Sequence, residues 1–133
     1  MPFTDYGASK LLAYVFAGDD GTGDLPLTLY IGLFSTATDA SGGGTELSGD
    51  GYARTAIGAP WVDSGTGRGI ANDDDITTPV ATLDWDAATH VAFYDDPTTG
   101  NSWYYAELIS PITVLQDKVG RFAAGDIVLE LTT

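Results

Sequence analysis

His90 is the single histidine of the chain, and an imidazole that titrates near neutrality is the first candidate for acid–base chemistry. The residues around it read as a strand, so period-two alternation puts His90 on the face opposite Val91 and Phe93. It could act there as a general base or a pH switch, or simply be exposed. A catalytic histidine needs a nucleophile to activate, and no candidate nucleophile accompanies it. His90 therefore reads as a surface residue.

Carboxylates are the second possibility. Asp73, Asp74 and Asp75 stand in a row, and Asp84, Asp86, Asp95 and Asp96 follow. Such oxygens suit a hard cation like Ca²⁺, which takes six to eight of them. The run lacks the alternating Asp-x-Asp-x-Asp-Gly order of an EF-hand and reads as a solvated turn. Glu46, Glu107 and Glu130 could form an acid and base pair only at a tertiary separation that chain position does not reveal. Gly42-Gly43-Gly44 is not followed by Lys-Ser or Lys-Thr as in a phosphate-binding loop, nor does it sit between strand and helix as in a dinucleotide fingerprint. No catalytic, cofactor-binding or metal-binding residue is assigned, no cofactor is expected, and the chain is read as a non-enzyme.

The elements that would position these residues are mostly short strands. Thr4 to Ala17 is the exception: Thr4 suits an N-cap, Asp5 the positive end of a helix dipole, and Leu11, Leu12, Val15 and Phe16 share one face. Gly7 weakens the first turn and Gly18 supplies a stop, so the helix is expected to depend on docking its apolar stripe against a sheet. Asp19 to Asp24 is a polar loop. Leu27, Leu29, Ile31 and Leu33 alternate with Thr28, Tyr30 and Gly32 as a strand. Ser35 to Asp50, rich in Gly, Ser and Thr, reads as a mobile surface loop closed by Gly49-Asp50-Gly51.

Tyr52 to Ile57 and Trp61 to Asp63 read as short strands broken at Pro60, and Gly65 to Gly69 as a turn. Ile70 to Leu83 reads as an irregular or edge strand. Thr89 to Tyr94 and Ser102 to Ile109 flank the turn-forming run 95–101 and should pair as a hairpin. Ile112 to Leu115 and Ile127 to Leu131 complete the set, the last with Ile127, Leu129 and Leu131 facing inward. In Trp103-Tyr104-Tyr105, Tyr104 must face away from the other two. One face of that strand should be core, and the other is covered by the N-terminal helix or forms a subunit contact or carbohydrate-stacking surface.

Roughly six to eight strands with turn signals about every eight to twelve residues describe an all-β protein, a single β-sandwich of jelly-roll-like or immunoglobulin-like kind with one short N-terminal helix. A length of 133 residues fits one domain, 1–133, with the helix at about 4–17 and the sandwich from 25 to 133. The chain is 44% hydrophobic and has no cysteine, so packing and strand pairing must hold it. Leu11 to Ala17, the longest apolar stretch, is far short of the roughly 20 residues that cross a bilayer, and Asp5 stands where an export signal would be basic. Nineteen acidic residues against five basic give a net charge of −14, which repels nucleic acid and anionic membranes alike.

Several of these segments together carry a resemblance. The run Leu27-Thr-Leu-Tyr-Ile-Gly-Leu-Phe-Ser and the block Gly44-Thr-Glu-Leu-Ser-Gly-Asp-Gly-Tyr-Ala-Arg54, with Leu83-Asp-Trp-Asp86 and Phe122-Ala-Ala-Gly-Asp-Ile127, resemble a family of small tailed-bacteriophage virion proteins commonly labelled tail-fibre or head-decoration (cement) proteins. Its members show "Leu-Tyr-Val-Ala-Leu-Phe", "Gly-Thr-Glu-Val-Ser-Gly-Gly-Gly-Tyr-Ala-Arg", "Ala-Asp-Trp-Gly" and a closing "Phe-Ala-Ala-Gly-Asp-Leu". The chain departs at Asp50 and Asp86, where glycine is usual, and in its acidic stretch at 73 to 75.

The resemblance implies a virion structural protein on the particle surface, present in the host cytoplasm during assembly, with no catalytic residues to carry over. Capsid decoration is the leading expectation, with the major capsid protein or another virion protein as partner and a homo-oligomer, taken as a trimer, as the working form. A tail-fibre or head-fibre component touching the host surface is the alternative, and a small carbohydrate-active or calcium-binding β-sandwich the remote one. Glu46, Tyr52 and Arg54 read as structural: the glycines permit unusual backbone angles, and an arginine can satisfy buried carbonyls or pair a carboxylate.

Overall fold

The computed structural model describes residues 3–17, 28–57, 61–65, 67 and 69–130. Its elements are a helix α1 (Asp5–Ala17) and nine strands: β1 (Leu29–Phe34), β2 (Thr55–Ile57), β3 (Trp61–Asp63), β4 (Gly69–Asn72), β5 (Ile76–Thr77), β6 (Ala88–Tyr94), β7 (Ser102–Ile112), β8 (Arg121–Phe122) and β9 (Val128–Glu130). All strand pairings are antiparallel, in sheets ordered β2-β1-β6-β7, β3-β4-β9 and β5-β8. The architecture is all-β and sandwich-like, as the strand and turn spacing predicts.

The core lies on one face of the four-stranded sheet. Ile31 and Leu33 of β1, Val91 and Phe93 of β6 and Tyr104 of β7 meet Ile76, Trp85, Val114, Phe122 and Ile127 from the opposite side. Alternation sends the other residues of β1 and β6 through the sheet, where Phe34, Ala92 and Tyr94 form a second cluster with Tyr105 against it. The central strands are thus buried on both faces, which is why β1 runs on as Ile-Gly-Leu-Phe without a polar residue.

Helix α1 begins as its N-cap predicts. The Thr4 Oγ1 accepts the Gly7 N–H at 3.0 Å, and the Thr4 carbonyl accepts the Ala8 N–H at 2.9 Å. The same hydroxyl donates to the Ser102 carbonyl, the Thr4 N–H donates to the Trp103 carbonyl at 2.9 Å, and the Asp5 N–H donates to the Ala40 carbonyl at 3.0 Å. The helix start is therefore fastened to β7 and to the loop after β1. Half of the expected apolar docking stripe faces outward: Leu12 is 57% and Phe16 84% exposed, while Leu11 is half-buried. Close backbone approach takes the place of that half, because a Cβ on Gly7 would lie 2.4 Å from the Trp103 carbonyl oxygen. Gly7, which weakens the helix locally, is what lets it sit on the strand.

Several boundaries differ from the sequence reading. Tyr52 and Arg54 precede β2 instead of belonging to a strand from Tyr52, because their side chains are drawn across to Glu46. The stretch from Ile70 to Leu83 is no single strand. Only β4 and β5 pair there, and the backbone beyond turns to other partners, Ala81 N–H to the Lys118 carbonyl and Thr82 N–H to the Asp50 carbonyl. Ile112 closes β7 and starts no new strand, since the chain then leaves the sheet so that the Val114 carbonyl can accept the Trp85 N–H. The two-residue β8 is too short to show periodicity. The hairpin of β6 and β7 forms as expected, with a register shift at Phe93/Tyr94 that leaves Trp103 unpaired between Ser102 and Tyr104. The predicted stop at Gly18, the loop 19–24, the strand start at Leu27, the break at Pro60 and the end at Leu131 lie outside the described residues, as do Thr66 and Arg68 of the turn after β3.

The loop 35–50 is folded, contrary to the mobile loop its composition suggests. The Ser35 N–H donates to the Thr45 carbonyl, the Leu47 N–H donates to the Leu33 carbonyl, and Glu46 forms a bridge with Phe34. Asp39 Oδ1 accepts the N–H groups of Ser41 and Gly43, so the glycine run is part of an aspartate-capped turn.

Candidate functional site

Glu46, Tyr52 and Arg54 form the most highly connected polar constellation among the described residues. The Arg54 fork donates from Nε to Glu46 Oε1 and from Nη2 to Oε2, both at 2.9 Å. Its Nη1 donates to the carbonyls of Asp96 and Thr99 at 2.9 and 2.7 Å, at the tip of the β6–β7 hairpin. The guanidinium carbon lies 3.7 Å from the centre of the Tyr94 ring. Tyr52 completes the set, donating from its hydroxyl to Glu46 Oε1 at 2.7 Å and accepting the Leu33 N–H at 2.9 Å. Burial would lower the Arg54 pKa, but hydrogen bonds and charge from Glu46 outweigh it and hold the cation. Burial pushes the Tyr52 phenol well above its ordinary value, with Glu46 adding to the rise.

This geometry fastens loops together. The arginine side chain is 7% exposed and each of its three nitrogens donates to a protein acceptor. It ties loop 35–50, the segment before β2 and the hairpin tip to one face of the central sheet. Gly32 makes room for it, since a Cβ there would meet Glu46 Oε1 at 2.9 Å. The preceding Gly49-Asp50-Gly51 holds three successive residues at φ of 72°, 54° and 81°. Asp50 adopts the left-handed conformation where the resembling family has glycine, and aspartate is among the few other residues that enter it routinely. The Asp50 carbonyl accepts Trp85 Nε1 at 2.8 Å, joining this block to the Leu83-Asp-Trp-Asp86 run.

The other acidic residues flagged in the sequence are separated into turns. Asp95 accepts Trp103 Nε1 at 3.1 Å and the Asn101 N–H at 2.8 Å. Asp96 Oδ2 accepts the N–H groups of Thr98 and Thr99, with Thr99 the larger cause of a carboxyl pKa lowered to about 2. Asp75 pairs with Arg121 at 3.0 Å and accepts the Ala124 N–H, clasping the Phe122-Ala-Ala-Gly-Asp126 turn from one side. Asn72 clasps it from the other, with Nδ2 on the Ala123 carbonyl and Oδ1 on the Ile127 N–H. Asp84 accepts the Gln116 N–H, while Asp73, Asp74 and Asp86 are exposed. His90 is half-buried, its Nδ1 2.8 Å from Thr89 Oγ1, and it lies opposite Glu107 in the β6–β7 register.

The aromatic run divides as alternation requires. Tyr104 enters the core between Phe3 and Phe93, and its burial raises the phenol pKa to about 12. Trp103 is covered by Tyr6 of α1 in an edge-on contact, and Tyr105 leans on the second cluster. With Trp103 only 8% exposed, the run offers no open stacking platform.

Two larger concavities lie among the described residues. An apolar cleft of about 600 Å³ opens beside the later half of β7, between Ala106, Leu108 and Ile112 on one side and Phe122 and Ile127 on the other. A polar cavity of about 400 Å³ lies where the start of α1, loop 35–50 and the hairpin tip converge. Sequence reasoning does not bring its wall together, because the residues come from three distant segments.

No curated protein matches the chain. The family description that does match covers residues 2–130 and is that of the Podophage GP4 fiber I protein gp80. The match spans the helix start, the Glu46–Tyr52–Arg54 network and the Asn72–Asp75 clasp alike, and this chain belongs to that family of podophage fibre proteins.

Proposed function

We propose that the protein is a non-enzymatic structural component of a phage virion, and that within the particle it serves in a fibre and not in a capsid-decorating layer. The family match carries this reading, since its description names a fibre protein. The preference for decoration drawn from the resemblance alone gives way accordingly. The polar constellation supports a structural role, because Arg54 and Glu46 spend their hydrogen bonds on holding loops together and leave no activated nucleophile or base.

The protein works as a homo-oligomer anchored to another virion protein, with three copies the expected stoichiometry. Outward-facing Leu12 and Phe16, one helical turn apart on α1, supply apolar surface for such contacts. A cryo-EM reconstruction of the intact particle tests both points. Density for the chain in fibres, grouped in threes, supports the reading. Density spread regularly over the shell would restore the decoration role, and absence from the particle would overturn the structural assignment.

A further inference from the structure

We infer that the polar cavity at the start of α1 is a binding site for a neutral saccharide unit. Its wall brings together Asp5 and Tyr6 of the first helical turn, Ser41 of loop 35–50, and Tyr94 and Asn101 flanking the hairpin turn. None of these five side chains donates or accepts a hydrogen bond within the described residues, although the backbone around them is thoroughly paired. Tyr94 is the sharpest case: its ring is buried against Arg54 and Phe34, only 9% of the residue is exposed, and its hydroxyl remains unpartnered.

Such a set is chemically specific. Phenol and serine hydroxyls donate and accept, the amide of Asn101 does both, and the Asp5 carboxylate accepts. A sugar ring presents alternating hydroxyl donors and acceptors with apolar C–H groups between them, and the rim of Tyr6 offers apolar surface for those. Among the described residues no lysine or arginine lines the cavity, and the one charged group there is an acid, so anions are disfavoured. The volume of about 400 Å³ falls in the range of small-ligand pockets and accommodates one or two sugar rings.

The walls are also held in place. Thr4 fastens the helix start to β7, Asp39 caps the turn carrying Ser41, and Asp95 fixes the backbone of Asn101. A site assembled before the ligand arrives avoids the ordering cost of a flexible one.

This inference deepens the fibre reading and rests on it. It is tested on the purified full chain by amide NMR titration with glucose, galactose, rhamnose and N-acetylglucosamine, each to roughly 50 mM, to reach weak affinities. The expected result is saturable shifts confined to Gly42, Gly100, Asn101 and the first turn of α1 for at least one sugar. Asn101→Ala and Tyr94→Phe, each removing one hydrogen-bonding group, should weaken binding about fivefold while leaving the remaining spectrum and the melting temperature unchanged. Shifts absent for every sugar, scattered over the surface, or insensitive to both variants would overturn the proposal. Shifts produced instead by lysine or arginine, placing a protein side chain at Asp5, would overturn it too. Because the fibre assignment is read separately from density in the particle, a chain located in fibres that binds no sugar refutes the cavity alone.

Discussion

Arg54 and Glu46 meet through two parallel hydrogen bonds of 2.9 Å, and the remaining arm of the arginine holds the Asp96 and Thr99 carbonyls. One side chain thereby reaches partners up to 45 positions away in sequence. The two residues are close in the chain, but the hairpin tip is not, so the pair acts as a tertiary clamp whose loss would release two loops and leave the half-buried Glu46 carboxylate without its cation.

Arg54→Ala should lower stability by about 3 kcal/mol, the cost of breaking a buried ion pair from one side. For a chain of this size that corresponds to a fall in melting temperature of roughly 10 °C. Arg54→Lys keeps the charge but not the fork, and should fall between the two. Thermal melting by circular dichroism gives the comparison, and an Arg54→Ala protein that melts with the wild type would refute the clamp.

Gly7→Ala separates local propensity from tertiary contact because the two predict opposite signs. Alanine in a helix interior is favoured over glycine by about 1 kcal/mol, whereas the new Cβ would press on the Trp103 carbonyl at 2.4 Å. Backbone cannot yield there without breaking the Thr4 to Trp103 hydrogen bond. The variant should be destabilised by about 2 kcal/mol and should show altered tryptophan emission as Tyr6 lifts from Trp103. Stabilisation would mean that α1 does not sit on β7 as closely as described.

These two residues also show what a sequence can and cannot disclose. Strand alternation set Val91 and Phe93 against His90, and Tyr104 against Trp103 and Tyr105, because side-chain direction along a strand follows from chain order alone; which face of the aromatic strand enters the core does not. The hairpin of β6 and β7 was legible for the same reason, its turn residues lying between two aromatic runs. Gly7 was read only as a weakness, since the carbonyl that demands it belongs to a residue 96 positions away. The apolar stripe through Leu12 and Phe16 matched helical periodicity and yet points outward, because periodicity identifies a face without saying what covers it. Loop 35–50 looked mobile by composition, while the aspartate cap at Asp39 and the bridge at Glu46 depend on pairing with other parts of the chain. The polar cavity was invisible for the most general reason: its walls are brought together by folding and share no local pattern.

Tyr52 should resist alkaline ionisation. Burial raises its pKa well above 10, so between pH 10 and its folded value the unfolded chain loses a proton that the folded chain keeps. Its contribution is therefore complete below about pH 10 and diminishes as pH rises. Ultraviolet titration should show tyrosinate forming in stages, with Tyr52, Tyr104 (at about 12) and Tyr94 held back by burial. In Tyr52→Phe the most resistant step should vanish, and melting at neutral pH should fall by about 1 kcal/mol for the lost bonds to Glu46 and Leu33. A Tyr52→Phe titration curve that keeps the most resistant step would rule the assignment out.

Asp96 supplies the complementary test at low pH. Its carboxylate accepts the Thr99 and Thr98 N–H groups at 2.8 and 2.9 Å, and these bonds, with those from the two hydroxyls, bring its pKa down from 3.8 to about 2. A carboxyl whose folded pKa is depressed stabilises the fold above the unfolded value and loses that contribution as pH falls toward the folded one. The turn 96–99 should hence stay closed at pH 4 and open between about pH 4 and 2, loosening the two carbonyls that Arg54 grips. Carboxyl carbon chemical shifts followed over this range should place the Asp96 midpoint near 2, with the Thr98 and Thr99 amide resonances moving in step. Asp96→Asn should remove that pH dependence while leaving the amides partly bonded. A midpoint at the ordinary carboxylate value would show that the threonine amides do not bind the charge, and the hairpin tip would then owe its shape to Arg54 alone.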